Sequence, residues 1–67
     1  MEITVNQQTY QVSPVCSVQY LLEMVLNTPA NGIAVAVNQT IIPKLNWEGY
    51  TLNSGDQIVI IKATQGG

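Results

Sequence analysis

The sequence predicts an α+β domain, with one helix lying across a mixed sheet of four or five strands. Three observations carry that prediction. Residues 2–12 alternate polar and apolar about a turn, residues 18–26 place apolar side chains at helical spacing, and Ile58-Val59-Ile60-Ile61 is a run of β-branched residues.

Glu2-Ile3-Thr4-Val5 has the period-2 alternation of a half-buried strand. Asn6-Gln7-Gln8 supplies a turn and Thr9-Tyr10-Gln11-Val12 resumes the alternation, so residues 2–12 read as a hairpin that Ser13-Pro14 ends. Ser17 is suited to cap a helix by accepting a hydrogen bond from a first-turn amide. Beyond it, Val18, Leu21, Leu22, Val25 and Leu26 form one apolar stripe, with Gln19 and Glu23 on the other side. Asn27, Thr28 and Pro29 stop the helix, and Ala30-Asn31-Gly32 turns the chain.

Ile33-Ala34-Val35-Ala36-Val37 reads as a strand with large side chains on one face and small ones on the other. Asn38-Gln39-Thr40 turns it into a short strand at Ile41-Ile42, cut off by Pro43. Residues 44–50 are irregular, with Trp47 and Tyr50 assigned to closing the core, although aromatic residues also serve as partner anchors. Thr51-Leu52 is a brief extended piece. Asn53-Ser54-Gly55-Asp56 makes a tight turn in which Asp56 caps with its side chain, and the last strand begins at Gln57. The helix provides the crossover needed for the first and last strands to pair in parallel. A central position would account for a last strand that is apolar on both faces.

Composition narrows the function. A chain of 67 residues makes one domain, and 46% hydrophobic residues suffice for its core. Two lysines against four acidic residues give a net charge of −2, which offers no basic footprint for nucleic acid. Apolar runs stop far short of the roughly 20 residues that span a bilayer. The chain opens on Met1-Glu2 and a strand pattern instead of a charged-then-apolar leader, so the expectation is a cytoplasmic protein. With no histidine and a single cysteine, neither a zinc site nor an internal disulfide can be built. Autonomous catalysis is not expected.

The reactive group must then lie elsewhere. Lys62-Ala63-Thr64-Gln65-Gly66-Gly67 sheds its apolar bulk and finishes on two glycines, so a strand delivers a side-chain-free carboxylate. The organisation expected is a domain over residues 1–63 and a flexible tail over 64–67. Alternation sets Val59 and Ile61 opposite Ile58 and Ile60, and Ala34 and Ala36 opposite Ile33, Val35 and Val37. If the larger sets pack on the helix, Val59, Ile61, Ala34 and Ala36 make an apolar patch beside the tail. Only 9% of residues are charged, in keeping with a surface that is to be covered. Lys62 shares the parity of Ile60 and stands against that assignment. Cys16, just ahead of the helix, has two readings: a thiol activated by the helix dipole, or a small thiol packed in a loop, which we prefer.

Several stretches together resemble the ThiS family of small sulfur carriers of thiamin biosynthesis. They are Ile33-Ala34-Val35-Ala36-Val37-Asn38, Ile41-Ile42-Pro43-Lys44, Trp47, Leu52, Gly55-Asp56, Ile58, Ile60, Ala63 and Gly66-Gly67. The resemblance implies a ubiquitin-like β-grasp fold with Ile58 and Ile60 inward. It also implies a carrier cycle. A ThiF-like adenylating enzyme activates the Gly67 carboxylate with ATP, sulfur drawn from cysteine through a desulfurase system makes a thiocarboxylate, and a ThiG-like thiazole synthase takes the sulfur. The carrier itself holds no cofactor or metal, and ATP belongs to its partner. Partner-binding residues are then Gly66, Gln65, Thr64, Val59, Ile61, Ala34 and Ala36. The alternatives are a carrier like the small subunit of molybdopterin synthase, a ubiquitin-like modifier of lysines, or an interaction module with an incidental diglycine.

Overall fold

The computed structural model describes residues 1–27 and 32–62. Five strands form one sheet: β1 (Glu2–Val5), β2 (Gln8–Gln11), β3 (Ile33–Val37), β4 (Thr40–Ile42) and β5 (Gln57–Lys62). Their order across the sheet is β2-β1-β5-β3-β4, which places the last strand at the centre. The β1/β5 pair is parallel, as the helical crossover permits, and the β1/β2, β3/β4 and β3/β5 pairs are antiparallel. One helical segment covers one face. This is the β-grasp arrangement.

The helix follows from its cap. Ser17 is extended at φ −85° and ψ 166°, and its Oγ accepts the Tyr20 amide at 3.0 Å. Two other first-turn amides donate outward, from Val18 to the Tyr50 carbonyl (3.0 Å) and from Gln19 to the Trp47 carbonyl (3.1 Å). The helix is thereby seated on the loop over residues 47–50. An α-helical turn α1 (Val18–Tyr20) continues as a π-helical segment over Leu21–Val25, and the Leu26 amide reaches back five residues to the Leu21 carbonyl at 2.9 Å. The apolar stripe changes accordingly. Val18, Leu21 and Leu22 are buried, but each residue of a π-turn rotates through a smaller angle than in an α-helix, so Val25 falls short of the core and is exposed. Leu26 is half-buried. Asn27 then takes a left-handed φ of 51° and ends the helix. The expected turn at Ala30-Asn31 and the stop signals Thr28 and Pro29 lie outside the described residues.

Trp47, Ile3, Leu21, Leu22, Leu52, Ile58, Val18, Val35 and Val37 are essentially inaccessible to solvent. Trp47 lies within this core and does not merely cover its edge, and its indole Nε1–H donates to the Ile42 carbonyl at 2.8 Å. Tyr50 packs against the cluster from its periphery. A short 3₁₀ turn over Lys44–Asn46 leads into Trp47. Asp56 is buried, and its carboxylate accepts the Asn53 amide at 2.8 Å and Asn38 Nδ2–H at 3.0 Å, as the turn-capping role requires.

Because the Ser17 hydroxyl satisfies one of the first-turn amides, Ser17→Ala is expected to cost about 1 kcal/mol and to lower the thermal midpoint by about 4–8 °C. Thermal unfolding followed by far-UV circular dichroism measures this; an unchanged midpoint would contradict the capping role.

Candidate functional site

The chain leaves the sheet from its central strand. Ile58 is fully buried, Val59 is 46% exposed, Ile60 is half-buried and Ile61 is 51% exposed, so the alternation runs as the parity argument expects. Lys62 keeps the parity of Ile60 yet is exposed. It borders an open groove with Leu26, Gln8 and Tyr10, from which its ammonium reaches solvent, and this reconciles a charged residue with the inward set. Thr64, Gln65, Gly66 and Gly67 lie outside the described residues, as does the expected domain boundary after residue 63.

The outward set meets across strands. The β3/β5 register pairs Ala34 with Ile61 and Ala36 with Val59, bringing together the four residues the sequence placed there. The β3/β4 hairpin adds Ile41 opposite Ala36, and Ile41 is 57% exposed. Ala36 itself is buried, since Ile41 and Val59 flank its short side chain on either side. It forms the floor of the patch, and Ile41, Val59 and Ile61 form its exposed relief. Ile41 was legible in principle. A two-residue turn at Asn38-Gln39 closes Val37 on Thr40 and must then set Ile41 beside Ala36.

A central position does not account for the outer face of β5. Its neighbours there are β1 and β3, and Val59 and Ile61 remain open to solvent. Three large aliphatic side chains on one sheet face are more than scattered surface apolar residues require.

Other groups are chemically quiet. Cys16 is fully buried, its thiol donates to the Ser17 carbonyl at 3.6 Å, and burial pushes its pKa up. Burial and a raised pKa agree with the packed-thiol reading. Glu23 accepts from Gln19 Nε2–H one helical turn away on the solvent side. Among the described residues no cluster of three or more metal-ligating side chains occurs, and no helix is long and apolar enough to cross a membrane.

Comparison with known proteins gives a consistent match along the whole chain. Residues 1–67 match the ThiS family. The sulfur carrier protein ThiS of Escherichia coli strain K12 is 36% identical over 67 residues, covering all of both chains. The crystal structure of a thiamine biosynthesis protein, ThiS, from Geobacter metallireducens superposes with a TM-score of 0.86 at 23% identity, again over the full length of both chains. A solution structure of a thiamine biosynthesis protein from that organism gives 0.78 at 23% identity, covering all of this chain and 88% of the other. These two structural matches establish the fold.

The unfolded chain loses the Cys16 proton first, so stability from the buried neutral thiol is complete below the unfolded pKa of about 8.5 and declines as pH rises past it. Native protein at neutral pH is expected to resist thiol-specific labelling until it is unfolded by denaturant. Rapid labelling of the folded chain, read by intact mass, would contradict the packed-thiol assignment.

Proposed function

The chain belongs to the ThiS family, and on that premise we propose that it is a sulfur carrier of thiamin biosynthesis whose Gly67 carboxylate receives and hands on the sulfur. The full-length match to a curated sulfur carrier carries this reading, since it runs through Gly66 and Gly67. The chain is a protein co-substrate and not a catalyst, acted on by partner enzymes of that pathway.

A carboxylate is a poor electrophile until one oxygen becomes a good leaving group. In the cycle, a Gly67 carboxylate oxygen attacks the α-phosphorus of ATP on a ThiF-like adenylating enzyme, and pyrophosphate departs. A persulfide formed from cysteine by a desulfurase system attacks the acyl carbon with its outer sulfur, and AMP leaves. A second thiol cleaves the resulting acyl disulfide, releasing the thiocarboxylate and keeping the two electrons' worth of oxidation in a disulfide. A ThiG-like thiazole synthase takes up that sulfur. The ATP and its metal ion reside on the adenylating enzyme, where charge on the phosphates is neutralised, and the carrier needs no cofactor of its own. Glycine at 66 and 67 suits entry to a narrow channel, because it approaches another backbone without a Cβ to obstruct it. A cytoplasmic setting, in which a lone thiol stays reduced, fits the role.

The outer sheet face supplies the docking surface in this reading. Val59 and Ile61, with Ile41 beside them and Ala34 and Ala36 beneath, lie on and next to the strand that leads to Thr64, Gln65, Gly66 and Gly67. Burying them on the adenylating enzyme would remove apolar area from water at roughly 25 cal/mol per Å² while holding the root of the tail.

Incubation with ATP, the adenylating enzyme and a sulfur source is expected to replace one carboxylate oxygen of the carrier by sulfur, read as intact mass. Transfer of the chain to a protein lysine, or no mass change with a demonstrably active partner, would overturn the carrier reading. Ile61→Asp, at a half-exposed position, is expected to fold normally and to lose affinity for the adenylating enzyme by at least tenfold in calorimetric titration, the loss of about 1.4 kcal/mol or more. Unchanged affinity would remove the outer face from the interface.

A further inference from the structure

The two hairpin turns carry nearly the same sequence, Val5-Asn6-Gln7-Gln8 and Val37-Asn38-Gln39-Thr40. Both central pairs take positive φ, 48° and 70° at Asn6 and Gln7, 50° and 74° at Asn38 and Gln39. Such values define a type I′ turn and explain an asparagine in first place. They do not explain what the asparagine side chains do. In both turns the valine before the asparagine lies beside Ile58, Val5 in the parallel pair and Val37 in the antiparallel one. The asparagines therefore sit on opposite sides of β5, Asn38 at its first residue and Asn6 against Ile58 and Ile60.

Each asparagine makes the same substitution. The Asn38 amide donates to the Gln57 carbonyl at 2.8 Å, and the Gln57 amide donates back to Asn38 Oδ1 at 3.0 Å. In an unbroken antiparallel pair the backbone carbonyl of residue 38 would take that second bond. On the other side, the Asn6 amide donates to the Ile58 carbonyl at 2.9 Å, and the Ile60 amide donates to Asn6 Oδ1 at 2.8 Å. A regular parallel ladder would use the backbone carbonyl of residue 6 there; here the side-chain oxygen takes that place. Asn6 Nδ2–H also leans toward the Ile60 carbonyl at 3.4 Å. Both polar backbone groups of Ile60 thus face one side chain, past the last backbone rung between β1 and β5.

We propose that Asn6 is a positioning residue for loading of the carrier: its carboxamide extends the β1/β5 ladder to Ile60 and, from the side opposite the β3 pairing that continues to Lys62, helps to set the direction of the strand end that leads to Gly67. This rests on the carrier reading, because the direction matters only if the terminal carboxylate must reach a partner's site. The five residues after Lys62 span at most about 17 Å when fully extended. Within so short a reach, the direction of the strand end limits where the terminal carboxylate can be presented, and misplacement by about 1 Å costs a large factor in rate. Asn38 makes the matching contacts at the entry end of β5, away from the tail. It stabilises the sheet without aiming the carboxylate.

The turn conformation dictates the variants. Alanine at φ 48° would strain the turn, whereas glycine accepts positive φ and removes only the side-chain contact. Asn6→Gly is expected to speed amide exchange at Ile60 and to slow adenylation at saturating carrier by about fivefold, the worth of one such hydrogen bond. Its dissociation constant for the adenylating enzyme stays at the wild-type value, because the outer face is untouched. Asn6→Asp keeps the acceptor for the Ile60 amide and restores the adenylation rate. Asn38→Gly lowers the melting midpoint yet loads at the wild-type rate, which separates positioning from stability. Wild-type loading or wild-type Ile60 exchange in Asn6→Gly would overturn the proposal, as would equal slowing in Asn38→Gly. Exchange needs no partner and tests the contact by itself. A wild-type chain that the active enzyme never loads would count against the carrier reading alone.

Discussion

Everything in this fold is arranged about the pairing of the last strand between the first and the third. Ile58 is the pivot. It is flanked by Val5 on one side and Val37 on the other, and all three are buried. Residues 5, 37 and 58 are remote in sequence, so closing this row fixes both hairpins relative to one another. The helix is positioned by the same closure, since its first-turn amides are received by the loop that leads into β5. A chain of this size has little surplus stability. Placing its C-terminal strand at the centre, where local unfolding is most costly, keeps the mount of the tail among the last parts to open.

The same placement creates the functional surface. The helix covers one face of the sheet, and Val59 and Ile61 point to the other beside Ile41. Leaving these side chains half in water forfeits burial energy that Ile58, on the inner face of the same strand, obtains. Apolar outward positions and few charges suit a surface that a partner covers. The division of labour lies within one strand, alternate residues serving the core and the proposed partner.

Much of this was legible in the sequence because period-2 patterning and turn chemistry are local. Both hairpins, the parallel return of the last strand, the Ser17 cap, the Asp56 turn and the facing of Ile58 to Ile61 follow from them. Other features depend on neighbours that spacing cannot supply. The π-turn after Tyr20 shifts a hydrogen-bond register by one residue with no proline or glycine to mark it, so Val25 was placed on the buried stripe. Ala36 was assigned to an exposed patch, but its neighbours Ile41 and Val59 cover it. Asn6 and Asn38 read only as turn residues. Their bonds to Ile60 and Gln57 arise only once distant strands meet.

The claim that most needs testing is that the outer sheet face, and not the helical face, receives the enzyme that modifies Gly67. Hydroxyl-radical footprinting of the carrier, free and bound to the adenylating enzyme, addresses it directly because exposed side chains report from both faces. Tyr20 and Met24 are exposed on the helix, as Ile41, Val59 and Ile61 are on the sheet. Loss of labelling at Ile41, Val59 and Ile61 on binding, with Tyr20 and Met24 unchanged, is the predicted result. Protection of Tyr20 and Met24 while the sheet residues stay reactive would contradict it.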